Sequence, residues 1–147
     1  MTNVRELMNP IVSDLQRGDS IAEAARRMAR DGVGALPIRA ADGTVQGMLT
    51  DRDIVLQVVA TDRDPHRVSV GELAQSEIVT AGPDEPVVTV LARMTTHRLT
   101  RLPVVDGTDL VGIITLADVA GAVPDQMVGE TYAGTTRRPA AADRSAP

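Results

Sequence analysis

The chain has 147 residues, 43% of them apolar, and a formal net charge of −5, a size that suits one domain or two small ones sharing a core. That charge, with no basic stripe to offset it, argues against a nucleic-acid partner; Tyr132 is the sole aromatic residue, which argues against stacking-based recognition of single strands and leaves the core aliphatic. There is no cysteine and hence no disulfide or thiolate metal site, and no apolar run nears the ~18 residues of a membrane span or forms a signal-peptide core, so a cytoplasmic protein without a membrane partner is expected.

Residues 4–8 predict a short helix ended by Asn9-Pro10, followed by a short strand over 11–13. Gly18-Asp19-Ser20 is a turn into a helix whose start carries an S-x-x-E capping box, Ser20 with Glu23. Ile21, Ala24, Ala25, Met28 and Ala29 mark its buried face, and Gly32 its left-handed stop. Apolar runs at 35–39 and 45–49 flank Ala41-Asp42-Gly43-Thr44, a hairpin or a closely related strand pair. A helix over 51–60 completes the unit, and the polar residues 61–67 connect it to the next.

The second unit repeats the order. Val87, Val90, Leu91 and Met94 mark a helix with Pro86 near its start, where a missing amide costs nothing. Strands are expected over 101–106 and 109–114 around Gly107-Thr108, then a short helix over 116–122 ended by Val123-Pro124. From 130 the apolar content almost disappears, which predicts a flexible tail. The division is therefore 1–66, 67–129 and a tail at 130–147.

The two units are copies. Gly47-Met48-Leu49-Thr50-Asp51-Arg52-Asp53 returns as Gly112-Ile113-Ile114-Thr115-Leu116-Ala117-Asp118. Ala35-Leu36-Pro37-Ile38 matches Arg101-Leu102-Pro103-Val104, Arg27-Met28 matches Arg93-Met94, and Val4 with Glu6-Leu7 matches Val70 with Glu72-Leu73. A period of roughly 65 residues is a small subdomain rather than a solenoid element.

The shared Gly-apolar-x-Thr-x-x-Asp spacing describes a nucleoside phosphate. A helix start favours an anion, and Thr50 or Thr115 adds a hydroxyl donor there. Asp53 and Asp118 lie one turn on, where a carboxylate suits paired ribose hydroxyls. Gly47 and Gly112 would admit a ligand close to the strand, and Met48 and Ile113 would sandwich a base. The same spacing is also an ordinary helix cap, and duplication copies caps as well as sites.

From residue 4 to about 123 the chain resembles a tandem pair of cystathionine-β-synthase (CBS) domains, the Bateman module, and most of all the small stand-alone CBS-pair proteins of the hypoxia- and stress-response type. Both motifs, Leu36-Pro37 with Leu102-Pro103, and Asp106-Gly107 before Leu110-Val111-Gly112 carry the resemblance. It implies an α/β (α+β) fold of two β-α-β-β-α repeats about a pseudo-twofold axis, with two clefts. It further implies that Thr50 and Thr115 contact phosphate and that Asp53 and Asp118 contact ribose. Ser13, Leu36, Thr80 and Leu102 would border adenine, beside Pro37 and Pro103, and Arg101 would reach phosphate, which its counterpart Ala35 cannot. Arg52 offsets Asp51 in the first motif, whereas Leu116-Ala117 leaves the second neutral, so the Thr115/Asp118 cleft is expected to be the tighter.

The expected function is a non-enzymatic sensor of the AMP, ADP or ATP class that requires no cofactor and signals by conformation or assembly to a protein partner. The alternative is a structural or interaction dimer with vestigial sites. A homodimer is expected through the apolar face of the helix carrying Ile54, Val55, Val58 and Val59. His66 and His97 show no metal spacing, and Arg26, Arg27 and Arg30 read as a solvated helix face, with Arg98 similar but within reach of a cleft.

Overall fold

The computed structural model describes residues 1–10, 13–73 and 78–136. The first repeat comprises β2 (Leu15–Gln16), α2 (Ile21–Asp31), β3 (Ala35–Arg39), β4 (Val45–Thr50) and α3 (Asp51–Ile54), after α1 (Val4–Leu7) and β1 (Asn9–Pro10). α3 runs on as a π-helical turn, Val55–Val59. The second comprises α4 (Val70–Leu73), α5 (Val87–His97), β5 (Arg101–Asp106), β6 (Asp109–Thr115), α6 (Leu116–Val119) and α7 (Asp125–Thr136). One sheet has the order β2-β3-β4, the other β1-β6-β5. This is the mixed α+β architecture the repeats imply. No helix among the described residues is long and apolar enough to cross a membrane.

Local chemistry explains most of these elements. The Ser20 hydroxyl caps α2 by accepting the Glu23 amide, and Gly32 ends it at φ 67°. β3 and β4 form the expected hairpin, with Ala40 and Thr44 closing the turn and Asp42 Oδ1 accepting from the Thr44 amide and hydroxyl.

The leading helices are exchanged between the repeats. Val4 on α1 is fully buried in the second core, with Val87, Leu91, Leu102 and Ile114. The Val4 and Arg5 amides donate to the carbonyls of Glu85 and Pro83, and β1 pairs with β6. Reciprocally, Val70 and Leu73 on α4 sit in the first core with Leu15, Ile21 and Ile38, and the Val70 and Gly71 amides donate to Asp19 and Arg17. The segments at 1–10 and 67–73 thus belong physically to the opposite repeat from the one their sequence position assigns.

The entry to each long helix is pinned the same way. Arg27 Nη1 donates to the Asp14 carbonyl and Asp19 Oδ2, which also takes the Gln16 amide. Arg93 Nη1 donates to the Thr80 carbonyl and Glu85 Oε2, which also takes the Gly82 amide. Arg27 is therefore half-buried and structural, whereas Arg26 and Arg30 are exposed as expected.

Two expectations are corrected. The opening strand of the first repeat lies further along than 11–13. Ile11 and Val12 fall outside the described residues, Ser13 is in no strand, and pairing occurs at Leu15 with Ile38 and, in the second copy, as a bridge from Ala81 to Val104. Leu15 and Ala81 are the buried residues, while Ile78 is 42% exposed, so burial sets the register. The flexible tail does not begin at 130, because α7 continues to Thr136. Met127 and Val128 pack on the second core, Thr131 is buried, and Gly134 lets α7 approach α5 so closely that a Cβ there would lie 2.6 Å from Thr95 Cγ2. A face of small residues carries little hydropathy signal. Residues 137–147 lie outside the described residues.

Val4→Ala should destabilise the protein by about 2 kcal/mol. Hydrogen exchange should accelerate first in α5 and β5; faster exchange confined to α2 and β3 would contradict the exchange of helices.

Candidate functional site: two crossed clefts

Each motif places its Thr and Asp at a strand-to-helix junction and locks them together. Thr50 Oγ1 accepts the Asp53 amide at 3.1 Å, and Asp53 Oδ2 accepts the Thr50 amide at 2.9 Å. Thr115 and Asp118 repeat this at 3.2 and 2.8 Å. The capping box is thus real in both copies, and it leaves ligand-binding capacity. Each threonine hydroxyl keeps its proton to donate, and each aspartate keeps Oδ1. The Asp51 amide donates to the Gly34 carbonyl and the Leu116 amide to the Thr100 carbonyl, tying each helix start to the entry of its sheet.

Two clefts open between the repeats, and both are crossed. The first, about 550 Å3, combines the entry of the first repeat (Ser13, Asp31, Val33, Gly34, Ala35, Leu36) with the motif of the second (Ile113, Thr115, Ala117). The second, about 450 Å3, combines the entry of the second repeat (Ile78, Val79, His97, Arg98, Leu99, Thr100, Pro103) with the motif of the first (Gly47, Thr50, Asp51, Arg52, Asp53). Met48 and Arg101 line both.

Charge separates them. Arg52, Arg98 and Arg101 have no carboxylate partner among the described residues, and all three line the second cleft. The other described arginines are held by carboxylates or, for Arg17, by Gln46 and the Gly71 carbonyl. In the first cleft the one lining carboxylate among the described residues, Asp31, has its pKa held below the ordinary value by Arg30, which also reaches Ser13 Oγ at 3.3 Å. The arginines without a carboxylate partner therefore gather in the Thr50/Asp53 cleft, not in the one expected to be the tighter. The crossing brings Arg52, from the first motif, together with Arg98 and Arg101 from the second repeat, and Asp118 does not line the first cleft.

Arg98 is the residue that sequence reading undervalued. It is the C-cap of α5 at φ 55°, where the first repeat uses Gly32. A side chain in the left-handed region costs about 1 kcal/mol relative to glycine. The signal was available as a charged residue aligned with a glycine stop.

The remaining predicted site residues fall around these walls. Leu36, Ser13, Ile113 and Thr115 line the first cleft, Thr50, Arg52, Asp53 and Pro103 the second. Leu102, fully buried in the second core, and Pro37, buried in β3, line neither cleft. Thr80 lines a recess with Glu85 and Arg93 that adjoins the second cleft through Ile78, Val79 and His97. Gly112 does not open a path for a ligand. A Cβ there would lie 2.7 Å from the Asn9 carbonyl oxygen, so its missing side chain admits β1. Gly47, at φ 143°, faces open space and lines the second cleft.

The comparisons agree with this architecture. The CBS domain family model matches residues 4–60 and 70–125, and the chain belongs to the CBS domain family as a tandem pair. It is 37% identical over 128 residues to Hypoxic response protein 1 of Mycobacterium tuberculosis, covering 87% of this chain and 90% of that protein. A crystal structure of Hypoxic Response Protein I with two coordinated zinc ions superposes with a TM-score of 0.76, covering 84% of this chain and 100% of that one. Among the described residues here, no group of three or more His, Asp or Glu side chains is placed to hold a metal ion. The CBS domain pair of protein MJ0100, solved in complex with 5′-methylthioadenosine and S-adenosyl-L-methionine, is 27% identical with a TM-score of 0.70 over 82% of this chain and 94% of that one.

Glu85 holds Arg93 in the recess beside the second cleft. Its pKa lies below the ordinary 4.5, chiefly because Arg93 donates to it, with burial opposing. A depressed folded value means that the stabilisation is complete above about pH 4.5 and is lost as pH falls through the lower folded value. Glu85→Gln should lower stability at pH 7 by about 1.5 kcal/mol and flatten the pH dependence below 4.5 in denaturant titrations. An unchanged acid slope would contradict this role.

Proposed function

We propose that this CBS pair is a non-enzymatic regulatory module that binds an adenosine-containing ligand of the AMP, ADP or ATP class between its repeats. The observation that carries this reading is the convergence of Arg52, Arg98 and Arg101, each without a carboxylate partner among the described residues, on the cleft that holds Thr50 and Asp53. In a chain of net charge −5, such a concentration of free guanidinium groups fits a phosphate. Asp53 Oδ1 takes the ribose hydroxyls, the Thr50 hydroxyl and the arginines take phosphate, and the base lies against Met48, Val79, Leu99 and Pro103. Ser13, Leu36, Ile113 and Thr115 form the corresponding, less charged first cleft. Thr80, Pro37, Leu102 and Asp118 support these walls from behind.

A ligand seated in either cleft touches both repeats. It signals by favouring one arrangement of the repeats, or one assembly, over another, which requires unequal affinity for the two. The 5′-methylthioadenosine and S-adenosyl-L-methionine in the MJ0100 complex support an adenosine ligand in this fold. The proposed setting is the cytoplasmic nucleotide pool, with a protein partner receiving the signal.

Dye-monitored unfolding against AMP, ADP, ATP, S-adenosylmethionine and 5′-methylthioadenosine tests the reading. A ligand at about 100 times its Kd should add about 2.7 kcal/mol, a rise of several degrees. Asp53→Asn keeps an acceptor for the Thr50 amide while removing the charge. It should abolish most of the shift with little change in the ligand-free midpoint, and a full shift in this variant would rule out the assigned site.

A second reading rests on a different observation. Val55, Leu56 and Val59 on the π-helical turn are 53%, 48% and 63% exposed, a surface suited to self-association. As an interaction module with vestigial clefts, the protein would be a dimer indifferent to nucleotide. Val55→Glu/Val59→Glu should then yield a monomer in light scattering, whereas an unaltered mass would exclude this face.

A further inference from the structure

Arg101 lines both clefts, and its repeat counterpart Ala35 carries no charge. Its side chain lies over the partition between them. A Cβ on Gly34, in the first cleft, would lie 3.5 Å from Arg101 Nη1 and 3.0 Å from Oδ2 of Asp51, which lines the second. The repeat counterpart of Gly34 is Thr100, so the space that accommodates this crowding exists on one side only. Among the described residues, the second cleft has two further arginines, Arg52 and Arg98, whereas Arg101 is the only arginine lining the first.

We propose that the two clefts compete for Arg101, so that an anionic ligand in the second cleft weakens anion binding in the first. This rests on the nucleotide reading above. The second cleft, with more cations and with both Thr50 and Asp53 facing it, fills first and draws the guanidinium to its phosphate. The first cleft is then left with Thr115 and the paired Asp31, and a second anion must enter without a cation. Repulsion between the two bound anions acts in the same direction. The first cleft therefore reports whether the second is empty, and full occupancy by anionic ligands requires much higher concentrations than half occupancy.

A binding isotherm alone would not distinguish this from two independent unequal sites, so each cleft needs its own signal. The chain has no tryptophan, and Val33 in the first cleft and Ile78 in the second are 41% and 42% exposed. Val33→Trp and Ile78→Trp, made separately, give one fluorescent reporter per cleft for titration with AMP. In the Val33→Trp chain, emptying the second cleft with Arg52→Gln/Arg98→Gln should lower the AMP midpoint about fivefold or more. With Arg101→Ala added to both backgrounds, the same pair of substitutions should shift the midpoint by less than about twofold. An unchanged Val33→Trp midpoint with Arg101 in place overturns the competition, as does a shift that persists in full without Arg101. AMP that moves both reporters without coupling defeats this inference alone, whereas reporters that respond to none of AMP, ADP, ATP, S-adenosylmethionine and 5′-methylthioadenosine defeat the nucleotide reading and the coupling with it.

Discussion

Each half of the chain completes its core with a helix from the other half, and the rest of the structure depends on that exchange. Val4 and Val70 are fully buried, each in the core of the opposite repeat. A repeat of roughly 65 residues is marginal as an independent fold, and each loses a core side chain and several backbone hydrogen bonds if the other is absent. The two repeats therefore stand or fall together, and their inner faces, with Met48 and Arg101 on the shared wall, are held in register without any linker having to be rigid.

The exchange brings the halves side by side, and the crossing of the clefts turns small differences between copies into a large difference between sites. Arg52 replaces the position of Ala117, Arg98 that of Gly32, and Arg101 that of Ala35. One of these lies in the first repeat and two in the second. If each cleft were built from a single repeat, the cations would be divided. Because each cleft takes its motif from one repeat and its entry from the other, all three charges meet in the same place. Duplication followed by divergence at these positions is enough to gather three arginines in one cleft, beside Asp51 and Asp53, and leave the other with Arg101 and Asp31 among the described residues.

Much of this was legible in the residues. The two motifs, the Ser20 cap, the Gly32 stop and the hairpin around Asp42-Gly43 are local chemistry and appear where they were read. The exchange of α1 and α4 was not legible, because matching Val4 with Val70 shows that two segments are equivalent and says nothing about which core each one enters. The same limit hid where the arginines gather. Arg52 was counted beside Thr50 correctly, but Arg101 was weighed without knowing that its wall faces the other motif. Gly112 illustrates a further limit: its repeat position implied a path for a ligand, whereas the Asn9 carbonyl occupies that space. α7 escaped notice because it packs through Thr131 and Gly134, and close approach of small residues leaves little trace in hydropathy.

The capping boxes bear on the choice between a structural and a functional meaning for the repeated motif, and the geometry makes the two complementary. A free aspartate on a surface turn would sample several rotamers and lose that freedom on binding, at a cost of order 1 kcal/mol. In this chain the Thr50 amide already holds Asp53 Oδ2, and the Asp53 amide already orients the Thr50 hydroxyl. Folding has thus fixed the groups before a ligand arrives, and the atoms left over, one carboxylate oxygen and one hydroxyl proton, are those a ribose and a phosphate would need. The same preorganisation exists at Thr115 and Asp118, so the cap alone does not define a site. What distinguishes the second cleft is that it gathers three arginines with no carboxylate partner among the described residues, where the first has Arg101 alone. A cap explains why these residues occur at both junctions, and the three arginines gathered at only one of them are what a purely structural account leaves without a cause.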